Sequence, residues 1–483
     1  MNAASTLTAR LLTEHPRPRV IAGRRYAHWL AVGTVCLGAF LGQLTASVTA
    51  LAYPALQRHF HTGFAAVEWV ALAYLLVLVA LLAPVGRLSD LVGRKTMYLG
   101  GFAVFALASL GAGFAGNLAT LVACRAVQAV GGAMMQANSV ALVARGVPEH
   151  AMRRALGVQA AAQGLGLALG PSLGGLLVEH ASWRWVFWIN VPIGLVGILA
   201  GWFLLPRTQS GTQRVPGPRR SDDGRQAGRF DLGGLLLLTG STTALLLALS
   251  AASGLPLPGP AVAGLLLAAV LCALGLVRQE RRATRPILAP GLVNTPGVRP
   301  GLAVSLIGYL LLFCPLVLGP VLLAEAGLST ARAGLLITLL PAAFAVAATV
   351  GGALLPRGWT DVTRCRLGAA LAGTGLLCCA LLPAAGATVP LLVAVPLLLA
   401  GGGLGLLLPA NNALVMRAIP AECSAVGGGM VNMARSLGTA LGTALPVLGV
   451  HLAGPAQGGR SVLLALAVVA AVGAVLTRSV RRR

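Results

Sequence analysis

The sequence predicts an all-α membrane protein of fourteen transmembrane helices: two six-helix halves with two further helices inserted between them. Three observations carry this. Of the 483 residues 57% are hydrophobic and only 10% charged, with a mean hydropathy of +0.84, where a soluble chain carries about 25% charge. Apolar stretches recur along the chain, each close to the roughly 20 residues a membrane helix needs. Residues separated by one constant offset, 272, match between about 30–205 and 302–477.

In order, residues 1–28 form a polar tail with Arg10, Arg17, Arg19, Arg24 and Arg25. The first half, 29–205, holds spans near 29–53, 66–85, 97–115, 119–144, 155–178 and 185–205. The opening arginines, apolar core and Ala46-Ser47-Val48-Thr49-Ala50 also fit a cleaved signal peptide, but this span has a counterpart later in the chain and reads as the first membrane helix. An Arg/Pro/Gly-rich linker, 206–231, has no fold of its own. The inserted pair, 232–278, contributes spans 232–252 and 260–277. A second linker, 279–301, leads to the other half, 302–477, with spans near 302–324, 333–355, 367–385, 389–413, 424–450 and 461–477. A basic tail, 478–483, ends the chain.

The offset pairs Leu30-Ala31-Val32 with Leu302-Ala303-Val304, Pro84 and Gly86 with Pro356 and Gly358, and Arg94 with Arg366. It pairs Arg145 and Pro148 with Arg417 and Pro420, and Gly157, Gly166 and Gly170 with Gly429, Gly438 and Gly442. Single matches mean little in a Gly/Ala/Leu-rich chain; a shared offset without gaps makes the halves parallel repeats.

Charge placement sets the expected orientation. The net charge of +24 is compatible with nucleic-acid binding, but its distribution points to a bilayer. Thirty of the 36 basic residues fall on the side of the two termini, four (Arg58, Arg184, Arg332, Arg460) on the opposite side, and Arg125 and Arg435 within spans. The positive-inside rule then puts both termini in the cytoplasm of a multi-pass cell-membrane protein, with no nucleic-acid partner. The eight cysteines show no CxxC spacing and sit in or beside apolar spans, which indicates neither a disulfide framework nor a zinc site. His59 and His61 in the first outer loop are a weak metal signal.

Three motifs and one lone arginine bear on function. The stretch Gly157-x8-Gly166-x3-Gly170-Pro171-x2-Gly174-Gly175 carries no charge. Gly166, Gly170 and Gly174 fall on one helix face that lets a neighbour approach closely, and Pro171 removes a backbone donor and kinks the helix. Taken alone, this is a packing seam or a rocking joint. Gly86-Arg-Leu-Ser-Asp90-Leu-Val-Gly93-Arg94-Lys95 joins helices two and three; two glycines permit a reversal, and Asp90 offers a charge to Arg94 or a helix N-terminus. Its second-half counterpart is degraded, with Asp361 displaced by one position. Arg125-x2-Gln128-x2-Gly131-Gly132-Ala133 lies in helix four; an arginine inside a span either faces a cavity or partner or snorkels to the interface. Arg435, at the position matching Gln163, is open to the same readings.

Together these motifs resemble the major facilitator superfamily. The loop Gly86–Lys95 resembles that superfamily's signature loop between helices two and three, the Arg125 stretch a motif of drug/proton antiporters, and the Gly157–Gly175 stretch the antiporter motif of helix five. Ser182-Trp-Arg-Trp-Val-Phe-Trp-Ile-Asn-Val-Pro-Ile-Gly194 and the two-helix insert resemble the fourteen-span members. The resemblance implies a major facilitator fold, substrate bound near the midplane between the halves, and a cytoplasmic latch at Gly86, Asp90, Gly93, Arg94 and Lys95. It implies export of amphipathic drugs or antibiotics by proton-coupled alternating access, with no cofactor beyond the proton gradient. A monomer is expected, with a small amphipathic molecule and the bilayer as partners. No GxxxxGK[ST] loop is present for ATP. An importer of a small metabolite, or a sensor without transport, is the alternative.

One departure bears on coupling. In the family the first helix carries an acid where this chain has Thr45, and none of the twelve acids is clearly midmembrane. Glu68 and Asp90 remain candidates beside Arg125 and Gln128, although Glu68, at the outer end of helix two, reads first as a solvated end charge. Thr45, Gln163 and Arg435 are the candidate cavity residues, and a cavity short of acids favours neutral or anionic cargo over quaternary dyes.

Overall fold

The computed structural model describes residues 26–208, 231–252, 257–282, 290–354, 359–381, 389–419 and 424–479, with four positions before residue 26. Most of the two tails, most of the 206–231 linker and part of the 279–301 linker lie outside the described residues.

Fourteen long helices follow one another, with no strand among the described residues. The first half comprises α1 (Ala27–Leu51), α2 (Trp69–Val92), α3 (Arg94–Gly113), α4 (Leu118–Gly146), α5 (Glu149–His180) and α6 (Asn190–Leu204). The insert is α7 (Leu232–Ala252) and α8 (Gly259–Arg282). The second half comprises α9 (Val298–Glu325), α10 (Thr330–Leu354), α11 (Asp361–Leu381), α12 (Val389–Ala418), α13 (Ser424–Ala453) and α14 (Gly459–Ser479). Among the described residues thirteen stretches are long and apolar enough to cross a membrane, and the last, Met430–Thr477, has 48 residues. As one helix it would reach about 72 Å, more than twice the hydrocarbon core. The chain turns instead at Gly454–Gly458, where Gly454 has φ 72°, and the stretch contributes both α13 and α14.

The predicted loop after helix two is shorter than expected. Gly86 keeps helical backbone and α2 runs on to Val92, so the reversal rests on Gly93 alone, with φ 110°. That is a conformation glycine adopts readily and L side chains avoid.

The repeat reappears in the packing. An added Cβ at Gly166 would stand 2.4 Å from the Phe40 carbonyl oxygen of α1. At its counterpart Gly438 a Cβ would stand 2.2 Å from the Leu306 carbonyl oxygen of α9. Gly131 and its counterpart Gly403 press likewise on Gly101 of α3 and Gly368 of α11. Each half has its own core, around Phe102, Phe105 and Tyr98 in the first and Leu311, Leu404 and Leu407 in the second.

The two inserted helices differ in environment. Only 6% of the apolar window of α8 is buried, so this helix faces lipid. The other, α7, packs on α8, α2 and α13 and therefore covers the seam where the halves meet. Leu246 of α7 shares a core with Leu75 of α2 and Ala440 and Ala444 of α13. Asp231 caps α7 by accepting from Gly234 N at 2.8 Å and ties it to α8 through Gln279 Nε2 at 2.9 Å.

Candidate transport site

Helix α5 lies between the halves and shows each of them a different face. On one face Gly166, Gly170 and Gly174 receive α1: a Cβ at Gly170 would meet Ser47 Oγ at 1.8 Å and Val48 N at 2.9 Å, and one at Gly174 would meet Val48 O at 3.0 Å. On the other face Gly175 meets α10, where a Cβ would lie 2.6 Å from the Thr330 carbonyl oxygen and 3.3 Å from Gly334 Cα. A Cβ on Gly334 would in turn stand 2.4 Å from the Pro171 carbonyl oxygen. Pro171 sits inside a continuous α5, and Gly157 lies in its first half. At the end of α5, Glu179 Oε2 accepts from Ala331 N at the start of α10, 2.6 Å away. The halves are thus pressed together on the side that the arginine distribution assigns to the exterior.

Farther along the same seam, Arg435 of α13 donates through Nη1 to Gln163 Oε1 of α5 at 3.4 Å, and its guanidinium carbon lies 4.9 Å from the centre of the Tyr309 ring of α9. Gln163 and Arg435 are equivalent positions of the repeat, 272 residues apart. When two residues exchanged by a pseudo-twofold touch each other, both lie beside its axis. The contact therefore marks the pseudo-twofold axis between the halves.

Arg125 is built in differently. It sits two turns into α4, whose N-cap Asn117 accepts from Thr120 N at 2.8 Å, and it is 0% exposed. Its Nε donates to the Val70 carbonyl of α2 at 2.7 Å, and its guanidinium carbon lies 4.5 Å from the centre of the Tyr74 ring and 5.9 Å from that of Phe187. Nη1 donates to Gln128 Oε1, and Gln128 Nε2 donates to Ser109 Oγ on α3. A snorkelling head would lie in water; this one is held among α2, α3 and α4 by a carbonyl, an amide and an aromatic face. Beside it, a cavity hardly larger than a water molecule is lined by Ala46, Ala50, Tyr53, Tyr74, Phe313 and Thr443.

Two expectations are corrected. Glu68 is not a solvated end charge: it joins the short helix Phe64–Val67 to α2 and is 0% exposed. The Ser250 hydroxyl of α7 donates to its Oε1, and Oε2 has no partner among the described residues. The inserted helix covers what hydropathy left at a span end. Thr45 is not on the cavity wall: its Oγ1 donates to Asn190 Oδ1 at 2.9 Å, with both residues buried, while Ala46 and Ala50 on the neighbouring face of α1 line the cavity.

The signature loop divides similarly. Lys95 is buried, and its Nζ donates to the Trp202 and Leu205 carbonyls at 2.9 and 3.0 Å, capping the end of α6. Arg94 opens α3, and Asp90 lies in the last turn of α2, its side chain outside the described residues. In the second half Asp361, first residue of α11, pairs with Arg417 at the end of α12 and lies 3.7 Å from Arg364.

Ser250, Tyr74, Tyr309 and Gly334 carry no sequence signal of their own, and Asn190 appears in the sequence only within the Ser182–Gly194 stretch; the role of each is identified by what the fold sets against it. His59 stacks on Trp183, 5.4 Å between ring centres, and no cluster of three or more metal-binding side chains occurs among the described residues.

Comparison with known proteins agrees with this architecture. The chain is 31% identical over 454 residues, 91% of its length and 79% of the relative's, to the tetracenomycin C resistance and export protein of Streptomyces glaucescens. It is 32% identical over 429 residues, 86% of its length and 74% of the relative's, to a multidrug resistance protein of Mycobacterium tuberculosis. It is 28% identical over 422 residues, 86% and 87% of the two chains, to a riboflavin transporter of Clostridioides difficile. The solved human organic anion transporter superposes with a TM-score of 0.62 over 93% of this chain and 99% of that one, at 17% identity, a likeness of fold. The Major Facilitator Superfamily matches over residues 35–443, spanning the insert and most of both halves. The chain is a multi-pass membrane protein and belongs to the Major Facilitator Superfamily of transporters.

Proposed function

We propose that this transporter exports amphipathic small molecules, antibiotics among them, across the cell membrane by proton-coupled alternating access, with both termini in the cytoplasm. The observation that carries the reading is the two-faced α5. Its Gly166–Gly170–Gly174 face seats α1 of its own half, and its Pro171–Gly175 face seats α10 of the other. Close glycine contacts across a seam have few side chains to disengage when two rigid halves rock. The direction of transport is supported by the relatives that confer resistance and export.

The coupled proton is assigned to Glu68. An exchanging carboxyl needs shelter in one state and water in the other. Glu68 is sheltered at the seam covered by α7, with one oxygen on Ser250 and the other unpartnered among the described residues. Tyr53 lies within electrostatic reach of both Glu68 and Arg125, which joins the acid to the cavity. Movement of α2 against α7 and α13 would open it.

The riboflavin-transporter relative keeps a metabolite carrier as the second reading. One assay separates the two. In inverted vesicles, an acid-inside pH gradient should drive labelled hydrophobic antibiotics inward, and Glu68→Gln should abolish that drive. Accumulation that ignores the gradient, or that occurs only in right-side-out vesicles, would overturn the exporter.

A further inference from the structure

We infer that Arg435, Gln163 and Tyr309 form a binding site for an acidic aromatic molecule, with the carboxylate or phenolate of the cargo on the Arg435 guanidinium. The site rests on the transport reading above, and it names the chemical class that the transporter takes.

The two membrane arginines differ in how far their donors are engaged. Arg125 is fully enclosed: Val70 O, Gln128 and two aromatic rings occupy its surroundings. Arg435 is half-buried, meets Gln163 at the long distance of 3.4 Å, and pairs with no carboxylate among the described residues. A guanidinium presents five donors in a planar fork that matches a carboxylate. An intramembrane cation left without a counter-ion is costly, so an anion that enters has a partner waiting.

Position selects the passage as the place. Gln163 and Arg435 meet at the axis relating the halves, where both halves bear on whatever lies between them. Tyr309 supplies a ring face 4.9 Å from the guanidinium carbon, and an aromatic cargo extends that stack. Tyr74 is close enough to interact electrostatically with both Arg125 and Arg435, so the two cations share one neighbourhood. Among the described residues no carboxylate pairs with Arg435, and Glu68 accepts from Ser250 of α7 instead.

The test uses the full-length protein in lipid nanodiscs and two probes with the same aromatic body, 9-anthracenecarboxylate and its methyl ester, with ethidium as the cationic comparison. Equilibrium dialysis gives affinity without any transport step. The carboxylate should bind about ten- to a hundredfold more tightly than the ester, the range of a hydrogen bond to a charged group, and ethidium should bind more weakly than either. Arg435→Gln should bring carboxylate and ester to equal affinity. Arg435→Lys, which keeps the charge and loses the fork, should retain part of the preference and guards against a folding artefact. Tyr309→Leu should weaken both anthracene probes alike. Equal affinities in the unaltered protein, or a preference that survives Arg435→Gln, would overturn the inference. A retained preference in binding without uptake of the carboxylate into inverted vesicles would instead overturn the exporter and leave the anion site standing.

Discussion

Replacing Gly175 with alanine should loosen the outer side of the transporter without weakening either half. The added Cβ would lie 2.6 Å from the Thr330 carbonyl oxygen, 3.2 Å from Ala331 Cα and 3.3 Å from Gly334 Cα, all on α10 of the opposite half. These are backbone atoms that no rotamer change can move. Overpacking of this kind costs about 1–3 kcal/mol. If the halves separate on the outer side to relieve it, the whole cost falls on the conformer seen here and shifts the ratio of outer-closed to outer-open molecules by roughly five- to 150-fold. Gly166→Ala is the control. Its Cβ would lie 2.4 Å from the Phe40 carbonyl oxygen, an equally severe contact, but within the first half, where rocking gives no relief. Hydrogen–deuterium exchange in nanodiscs distinguishes them: Gly175→Ala should raise exchange in segments 172–180 and 330–337 at little cost in unfolding temperature. Gly166→Ala should lower the unfolding temperature without raising exchange in α10. Gly334→Ala, which strikes the Pro171 carbonyl from the other side at 2.4 Å, should mimic Gly175→Ala and add less than its full effect to it. If the two α5 variants gave the same exchange pattern, α5 would be a packing seam and not a joint.

Glu68→Gln should abolish pH-driven accumulation in inverted vesicles while leaving downhill exchange of cargo measurable; loss of both would make the residue structural. Lys95→Gln should lower the unfolding temperature, since it removes charge-assisted bonds to the Trp202 and Leu205 carbonyls worth about 1.5–3 kcal/mol each; unchanged stability would return Lys95 to a purely gating role. Reporter fusions at position 215 and at the C-terminus should both signal cytoplasm, and an exterior signal from either would refute the orientation drawn from the arginines.

The architecture was legible because it rests on quantities that add along the chain. Hydropathy sums over twenty residues, and a fixed offset survives many chance mismatches. Burial of a single residue does not sum in this way. Glu68 looks like an end charge because it precedes an apolar run, and its shelter comes from Ser250, 182 residues later in the chain. The sequence of α7 is apolar all round, so no periodicity shows which face it turns to α2. Lys95 belongs to a loop motif by spacing and to the end of α6 by contact, and only the second relation needs the fold. That Thr45 faces Asn190 and not the cavity depends on the rotation of α1, which a uniformly apolar helix does not encode.

The same reasoning explains why two arginines of equal sequence standing diverge in role. Each lies within a span, and each is the kind of residue that membranes tolerate only with a partner. Arg125 gains its partners from neighbouring helices of one half: α2 gives Val70 and Tyr74, and α4 itself gives Gln128, which α3 steadies through Ser109. In the proposed cycle of rocking halves those helices stay together, so the contacts would persist and Arg125 would act as a fixed positive wall. Arg435 reaches across the seam to Gln163 in the other half. A bond between bodies that move apart must break once per cycle, and the guanidinium is then left to whatever fills the gap. A carboxylate cargo that enters as the halves part replaces Gln163 with a stronger acceptor. The same exchange in reverse, Gln163 returning as the halves close, helps to release it on the other side. Cargo preference and the step of the cycle therefore meet at one side chain, because it bonds across the seam and not within a half.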